Sequence, residues 1–133
     1  MLVGGLGDDT LNDGSGNDSL YGGDGNDSLN LTYSGPSGVS LTQVADAGAG
    51  NDVISLNSGG ASISYGINGG DGDSLLIASV NNSTITGSFG SGADVAFIGG
   101  ASGNSTISLE MGDGNNIVTV SYTHLTLPTI YSV

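Results

Sequence analysis

A nine-residue repeat opens the chain and runs three times without a gap. The copies read GGLGDDTLN (residues 4–12), DGSGNDSLY (13–21) and GGDGNDSLN (22–30). Each copy begins with Gly or, once, with Asp, continues Gly-x-Gly, and has Asp in sixth and Leu in eighth place. This spacing predicts short strands joined by tight acidic turns. Two carboxylates about 4 Å apart repel by about 4 kcal/mol at an effective dielectric near 20, so such turns need a cation or a proton.

The repeat resembles the haemolysin-type, or RTX, calcium-binding repeats of secreted bacterial proteins. The resemblance implies a parallel β-roll in which two repeats make one coil. Asp9 and Asp27 then lie one rung, or about 4.8 Å, apart, and Asp18 lies on the opposite side. It implies that Asp9, Asp18 and Asp27 are side-chain ligands of calcium, helped by turn carbonyls near Gly4, Leu6, Gly22 and Asp24. The eighth-place residues Leu11, Leu20 and Leu29 are expected to stack into a thin core.

The composition fits metal cations as partners. The chain has no Lys or Arg and 13 acidic residues, for a formal net charge of -13. Such a surface repels nucleic acid and anionic lipid headgroups, so neither is an expected partner. There is no Cys to form a disulfide or a thiolate metal site, and no apolar run is long enough to span a membrane.

A second, longer period begins at residue 47. Gly-rich turns start there and near residues 69, 90 and 112, about 21 residues apart, and an apolar strand follows each. Their acidic residues Asp52, Asp73 and Asp94 either bind calcium more weakly or cap β-turns through hydrogen bonds to the backbone. Asn116 takes the place of the last Asp, and the turn at Asp73 reads as one residue short.

We therefore expect an all-β chain, a parallel β-roll that continues into a β-solenoid (β-helix) with two strands per coil. The predicted units are a calcium-binding β-roll (1–30), a transition segment (31–46) and the long-period solenoid (47–119). Two core ladders are expected in the last unit: Ile54, Leu75, Ala96 and Val118, and Ile63, Ile85 and Ile107.

Residues 120–133 differ from the rest and contain the only His, His124. The string VSYTHLTLPT resembles the translation of a transposon-based sequencing adapter, and the chain stops where the adapter supplies a stop codon. We expect this tail to be non-native, the chain to be a fragment of a longer reading frame, and His124 to carry no function.

The leading functional hypothesis is a structural module of a secreted protein that folds when it binds calcium outside the cell. The alternatives are an adhesin or matrix stalk that binds extracellular polysaccharide or a cell surface, and a fragment of a β-helix polysaccharide enzyme. Enzymatic activity is not expected, because the chain has no His-Glu-x-x-His and no Gly-x-Ser-x-Gly motif.

Overall fold

The computed structural model describes residues 1–122 and 130–132, and all regular elements there are β-strands. None of these residues belongs to a helix long and apolar enough to cross a membrane. The strands are β1 (Leu2–Leu6), β2 (Thr10–Asn12), β3 (Ser19–Asp24), β4 (Ser28–Thr32), β5 (Ser40–Ala49), β6 (Val53–Asn57), β7 (Ser62–Asn68), β8 (Leu75–Asn81), β9 (Thr84–Ser88), β10 (Val95–Ser102), β11 (Thr106–Glu110), β12 (Ile117–Tyr122) and β13 (Ile130–Ser132).

The strands form a β-solenoid with two parallel sheets. The odd-numbered strands make one sheet in the order β1-β3-β5-β7-β9-β11-β13, and the even-numbered strands make the other, from β2 to β12. Every strand pairs in parallel with its equivalent in the next coil, so each coil contributes one strand to each sheet. The predicted all-β, two-strand-per-coil solenoid is confirmed.

The core lies between the two sheets. Inward-pointing residues alternate with exposed ones, as in β9, where buried Ile85 and Gly87 lie between exposed neighbours. Leu20, Leu29, Ile54, Leu76 and Ile85 are completely buried, and Leu11 packs against them from the end of the stack. The ladder predicted from the eighth-place leucines is therefore present, with Leu11 paired to Leu29.

The predicted core ladders contain the wrong residue at two positions. Leu76, not Leu75, is in register with Ile54, and Tyr65, not Ile63, is in register with Ile85. Ile63 is buried, but it lies level with Leu41. The cause is that coil length is not constant, because the return loops between even and odd strands differ. A slip of one residue turns a side chain to the other face of its strand, so a constant period fails.

The predicted transition segment (31–46) includes the end of β4 and the beginning of β5. Both strands pair with the coils before and after them, so the solenoid runs through this segment without a break. The additional residues of this coil lie in the loop between Thr32 and Ser40. The boundaries of the predicted units remain a prediction.

The predicted non-native tail is described in part. β12 continues through residues 120–122, and the backbone of β13 pairs with β11. His124 lies outside the described residues, and the adapter origin of the tail remains a prediction.

Replacing Leu29 by Ala is expected to lower the free energy of unfolding by about 2–5 kcal/mol, because it leaves a cavity in a core only two strands thick. Leu29 is completely buried, whereas Leu6 in the first coil is 85% exposed. The control Leu6→Ala is expected to change stability by less than about 0.5 kcal/mol. Urea unfolding in saturating calcium measures both, and equal losses would contradict the assigned core.

Candidate metal centre

The turns from each odd strand to the next even strand form one edge of the solenoid, which we call the acidic edge. The residue just before each even strand points inward there. The register of the even sheet stacks these residues one above the other, since Thr10 pairs with Ser28, Ser28 with Val53, and Val53 with Leu75. The resulting inner column consists of Asp9, Asp27, Asp52, Ser74, Asp94 and Asn116.

Hydrogen bonds to the backbone fix one oxygen of most side chains in this column. The Asp9 amide donates to Asp27 Oδ1 at 2.8 Å, and the Asp27 amide donates to Asp52 Oδ1 at 2.8 Å. Farther along, the Ser74 amide donates to Asp94 Oδ1 at 2.9 Å, and the Asp94 amide donates to Asn116 Oδ1 at 2.8 Å. These bonds orient the carboxylates of Asp27, Asp52 and Asp94, and with them the second oxygen of each.

That second oxygen is buried and has no hydrogen-bond partner among the described residues. This holds for Oδ2 of Asp9, Asp27, Asp52 and Asp94. An ionised carboxylate can only accept hydrogen bonds, and burying such an atom without a partner is costly. A structure that repeats this arrangement four times at one edge requires a positive partner for the oxygens.

Backbone carbonyls lie beside these oxygens where the repeat has Gly in first place. An ideal Cβ on Gly4 would lie 2.6 Å from Asp9 Oδ2 and 2.6 Å from the carbonyl oxygen of Gly22. A Cβ on Gly22 would likewise meet Asp27 Oδ2 and the carbonyl oxygen of Ala47. Each glycine thus keeps open a cradle between a carboxylate oxygen and a carbonyl oxygen of the next coil. Two acceptors that face each other in this way fit a cation.

The two non-acidic members of the inner column, Ser74 and Asn116, show how a side chain at this position is satisfied without a cation. Ser74 Oγ donates to the Gly69 carbonyl at 3.0 Å, and Asn116 Nδ2 donates to the Met111 carbonyl at 2.8 Å. In both cases the acceptor is the residue five positions earlier. A side chain with a hydrogen to donate therefore satisfies the turn carbonyl directly, whereas an aspartate cannot.

The donor set selects the type of cation. All candidate ligands at this edge are carboxylate or carbonyl oxygens, which suit calcium with its six to eight oxygen ligands and its tolerance of irregular geometry. The described part of the chain contains no group of three or more His, Cys, Asp or Glu side chains around one point. Backbone carbonyls and water would therefore complete the shell.

The other predicted ligands are placed as follows. Leu6 and Asp24 pair with each other in the odd sheet, and the Asp24 carbonyl accepts a hydrogen bond from the Gly7 amide at 2.7 Å. Gly4 and Gly22 contribute to the cradles at Asp9 and Asp27. Asp18 lies at the opposite edge, as expected, and its Oδ2 is also buried and unpartnered among the described residues.

Asp73 is not in the inner column, and the expectation that its turn is one residue short is wrong. Val53 pairs with Leu75, so Ser74 is level with Asp52 and Asp73 is level with Asn51. Asp73 belongs to an exposed outer ladder, in which its amide donates to Asn51 Oδ1 at 2.9 Å and its Oδ1 accepts from the Ala93 amide at 2.8 Å. Asp8 and Asn26 make the same bond in the first coils. These hydrogen bonds to the backbone are those expected of a residue that stabilises a turn. Calcium binding by Asp73 stays a prediction.

Burial raises the pKa of two aspartates of the inner column. Desolvation raises the pKa of Asp52 above its ordinary value of 3.8; the Asp27 amide opposes this shift and the Asp27 charge adds to it. Desolvation also raises the pKa of Asp94, where the Ser74 amide opposes the shift and the Asp73 charge adds to it. In the cation-free protein the folded state therefore binds more protons than the unfolded state just above pH 3.8.

This linkage gives a pH dependence with an unusual sign. In calcium-stripped buffer, the melting temperature is expected to rise as the pH falls from about 7 toward about 4, because protons replace the missing cations at Asp52 and Asp94. The double variant Asp52→Asn, Asp94→Asn is expected to lose most of this rise. Thermal unfolding followed by circular dichroism measures it, and a melting temperature that falls steadily over this range would contradict the assignment.

The geometry defines a class of protein, a parallel β-solenoid whose acidic turns carry cation-binding oxygens. Residues 2–31 and 40–60 match the family model of the RTX calcium-binding nonapeptide repeat, in four copies. The resemblance drawn from the sequence is therefore confirmed over these residues. The repeat family and the solenoid fold together support calcium binding. Searches of curated proteins and of solved structures gave no match.

The fourth copy contains a residue that sequence reasoning missed. Ala47 stands where the first Gly of the repeat would be, level with Gly22, and its carbonyl faces Asp27. The signal was present in the sequence AGAGND, because its sixth residue is Asp52. Ser74 was missed, since only the register reveals its level in the column. Asn116 was placed correctly from the sequence, but its hydrogen bond to the Met111 carbonyl was not foreseen.

Proposed function

We propose that this chain is a structural module that binds several calcium ions and completes its folding only when they are bound. The observation that carries the proposal is the row of buried Oδ2 atoms at Asp9, Asp27, Asp52 and Asp94, none with a partner among the described residues. Calcium between a carboxylate and a carbonyl of the next coil would join successive coils. Two ions are assigned to the glycine cradles at Asp9 and Asp27, and Asp52 and Asp94 are weaker candidates.

The energy of binding is large enough to control folding. A ligand at one hundred times its dissociation constant stabilises the folded state by about 2.7 kcal/mol per site. A domain of this size is stable by only about 5–15 kcal/mol in total. Two or three occupied sites therefore decide whether the solenoid is folded, because ion-free turns repel one another.

This coupling favours a protein that works outside the cell. Extracellular calcium modules typically bind with dissociation constants of about 10⁻⁴ to 10⁻³ M, so they are loaded outside the cell and empty in the cytosol. The RTX repeats at residues 2–31 and 40–60 add to this argument, since the resemblance implies secreted bacterial proteins. We assign a secreted, extracellular location and a non-enzymatic role. The carboxylates of Asp9 and Asp27 support a structural role, because each lies beside a backbone carbonyl of the next coil, an arrangement that suits an ion.

A calcium titration tests the proposal. The purified chain is stripped of metal, and its far-ultraviolet circular dichroism is followed from zero to about 10 mM calcium, with magnesium as the matched control ion. The β-signal is expected to appear cooperatively with calcium, to respond far less to magnesium, and to disappear on chelation. A β-signal of full size in the metal-free protein would overturn calcium-dependent folding.

One observation favours a second candidate function, carbohydrate binding. The outer face of the odd sheet carries a groove of about 380 Å³ whose polar lining includes Asp46, Asn68, Ser88 and Glu110. Gly66 deepens the groove between Val44 and Thr86. Hydroxyl, amide and carboxylate groups in a shallow groove are suited to sugar hydroxyls. Retention of the calcium-loaded protein on immobilised polysaccharide, lost in Asn68→Leu, tests this function separately.

A further inference from the structure

The outward face of the odd-numbered sheet carries a regular array of hydroxyl groups, which we call the hydroxyl face. In each of β5, β7, β9 and β11, two hydroxyl-bearing residues flank one inward-pointing apolar residue. The four stretches are Ser40-Leu41-Thr42, Ser62-Ile63-Ser64, Thr84-Ile85-Thr86 and Thr106-Ile107-Ser108. Because neighbours along a strand point to opposite sides, the hydroxyl side chains all lie on the outward side. Only Ser108 among them is half-buried, and the others are exposed.

Strand pairing arranges these residues in columns that cross the sheet. The central column has a hydroxyl in four successive coils: Thr42, Ser64, Thr84 and Thr106. Ser40 pairs with Ser62 on one side of this column, and Thr86 pairs with Ser108 on the other. Neighbouring strands lie about 4.8 Å apart, and alternate residues of a parallel strand lie about 6.6 Å apart. The hydroxyl face is therefore a grid with a fixed repeat in both directions.

No charged residue lies in these columns, although the chain has 13 acidic residues. The outward residues that complete the column of Thr86 are Val44 and Gly66. The acidic residues Asp46 and Glu110 lie one column farther along β5 and β11. The hydroxyl face thus presents uncharged hydrogen-bonding groups and methyl groups, which do not select for a cation or for a charged ligand.

The hydroxyls of this face are held in place but are not used by the protein. The sheet beneath them is packed on its inner side by the buried residues Ile63, Ile85 and Ile107. Half of the hydroxyl-bearing residues are threonines, whose branching at Cβ restricts the χ1 torsion. None of these hydroxyls is hydrogen bonded to another described residue. A shallow groove of about 370 Å³ follows the columns of Ser40 and Thr42. The face therefore offers its hydrogen bonds to water at fixed points.

We propose that the hydroxyl face binds ice. Ice presents water molecules at regular intervals, and its shortest repeat is close to the spacing of neighbouring strands. A water molecule bound at one coil is therefore followed by an equivalent water at the next coil. A hydroxyl both donates and accepts hydrogen bonds, so it can take the place of a water molecule in such a lattice. This inference goes beyond the proposed function, which supplies only the folded solenoid.

The regular spacing favours ice over other uncharged partners. A hydroxyl that leaves liquid water for ice exchanges one hydrogen bond for a similar one, so a single contact contributes little. Binding must come from many hydroxyls together, and only a surface with the same repeat engages all of them. Contact of the threonine methyl groups with the surface removes apolar area from liquid water and adds to binding. A dissolved sugar lacks this repeat and is better suited to the irregular groove at Asp46 and Asn68.

Freezing measurements on the full chain in calcium test the proposal. A single ice crystal is held in the protein solution and cooled slowly. The protein is expected to lower the freezing temperature below the melting temperature and to give the crystal facets. Thr84 lies inside the grid, so Thr84→Tyr places a bulky ring on it and is expected to lose most of this gap. Thr32→Tyr is the matched control, because Thr32 is an exposed threonine of the even-numbered sheet, and it should keep the gap.

Circular dichroism in calcium verifies that the parent and both variants are folded. A folded parent that leaves the crystal round and opens no gap would overturn this inference, while calcium-dependent folding would stand. A gap that survives in Thr84→Tyr, or that Thr32→Tyr loses equally, would also overturn it. Retention on crystalline cellulose that Thr84→Tyr abolishes, with no effect on ice, would assign the face to a sugar surface instead.

Discussion

Asp27→Asn is expected to stabilise the chelated protein and to remove a large part of its response to calcium. Asn keeps an oxygen for the Asp9 amide, which now donates to Asp27 Oδ1 at 2.8 Å. Its Nδ2 replaces the unpartnered Oδ2 and supplies the kind of donor that Asn116 provides to the Met111 carbonyl. An unsatisfied buried group costs about 1–3 kcal/mol, which the variant should recover without calcium.

In calcium the same variant is expected to be the less stable protein. It lacks one ion, worth about 2.7 kcal/mol at one hundred times the dissociation constant. The melting temperature of Asp27→Asn should therefore lie above that of the parent in chelator and below it in calcium. Asp113→Asn removes an exposed charge and serves as the control, with no change of order. The reverse substitution, Asn116→Asp, is expected to weaken the chelated protein. Asp27→Asn less stable than the parent in both conditions would contradict the site.

Gly22→Ala has the second large expected effect. The new methyl group would lie against Asp27 Oδ2 and the Ala47 carbonyl, in the space that we assign to the ion. Overpacking of this kind costs about 1–3 kcal/mol, and the lost ion adds about 2.7 kcal/mol in saturating calcium. Unfolding in urea with and without calcium should show the first loss in both conditions and the second only with calcium.

Gly14→Ala is the matched control in the same block of repeats. A Cβ on Gly14 would have no heavy atom within 4 Å, and its backbone does not require glycine. This variant is expected to be neutral or more stable by up to about 1 kcal/mol. In the third coil, Ala47 already places a methyl group level with Gly22, so Ala47→Gly should strengthen calcium binding at Asp52. Equal losses from Gly22→Ala and Gly14→Ala would show that the cradle has no special role.

The sequence is sufficient for the solenoid and for the acidic turns of its first coils. Repeats of constant length fix the level of each residue, so the pairing of Leu11 with Leu29 and the stacking of Asp9 on Asp27 follow directly. These features depend only on local spacing and on the two-residue period of a strand. That the inner column combines aspartates with a hydrogen-bonding Ser74 could be seen only from the strand register of the structure.

Prediction failed where coil length changes. Nothing local distinguishes Leu75 from Leu76, or Asp73 from Ser74, and only pairing with the neighbouring coil assigns them to the exterior or to the core. The hydrogen bond from Gln43 to Asp13 is a contact across 30 residues of sequence, so its members look unrelated in the linear chain. The sequence shows Asp13 as a departure from the repeat, but it does not indicate that Gln43 is its hydrogen-bond partner.

The most direct test is a crystal structure of the calcium-loaded protein with anomalous data. An anomalous peak is expected between Asp27 Oδ2 and the Ala47 carbonyl, with metal–oxygen distances of about 2.3–2.6 Å. A second peak is expected between Asp9 Oδ2 and the Gly22 carbonyl. The same fold in millimolar calcium, with only water or a direct hydrogen bond at these points, would contradict the claim that cations join the coils.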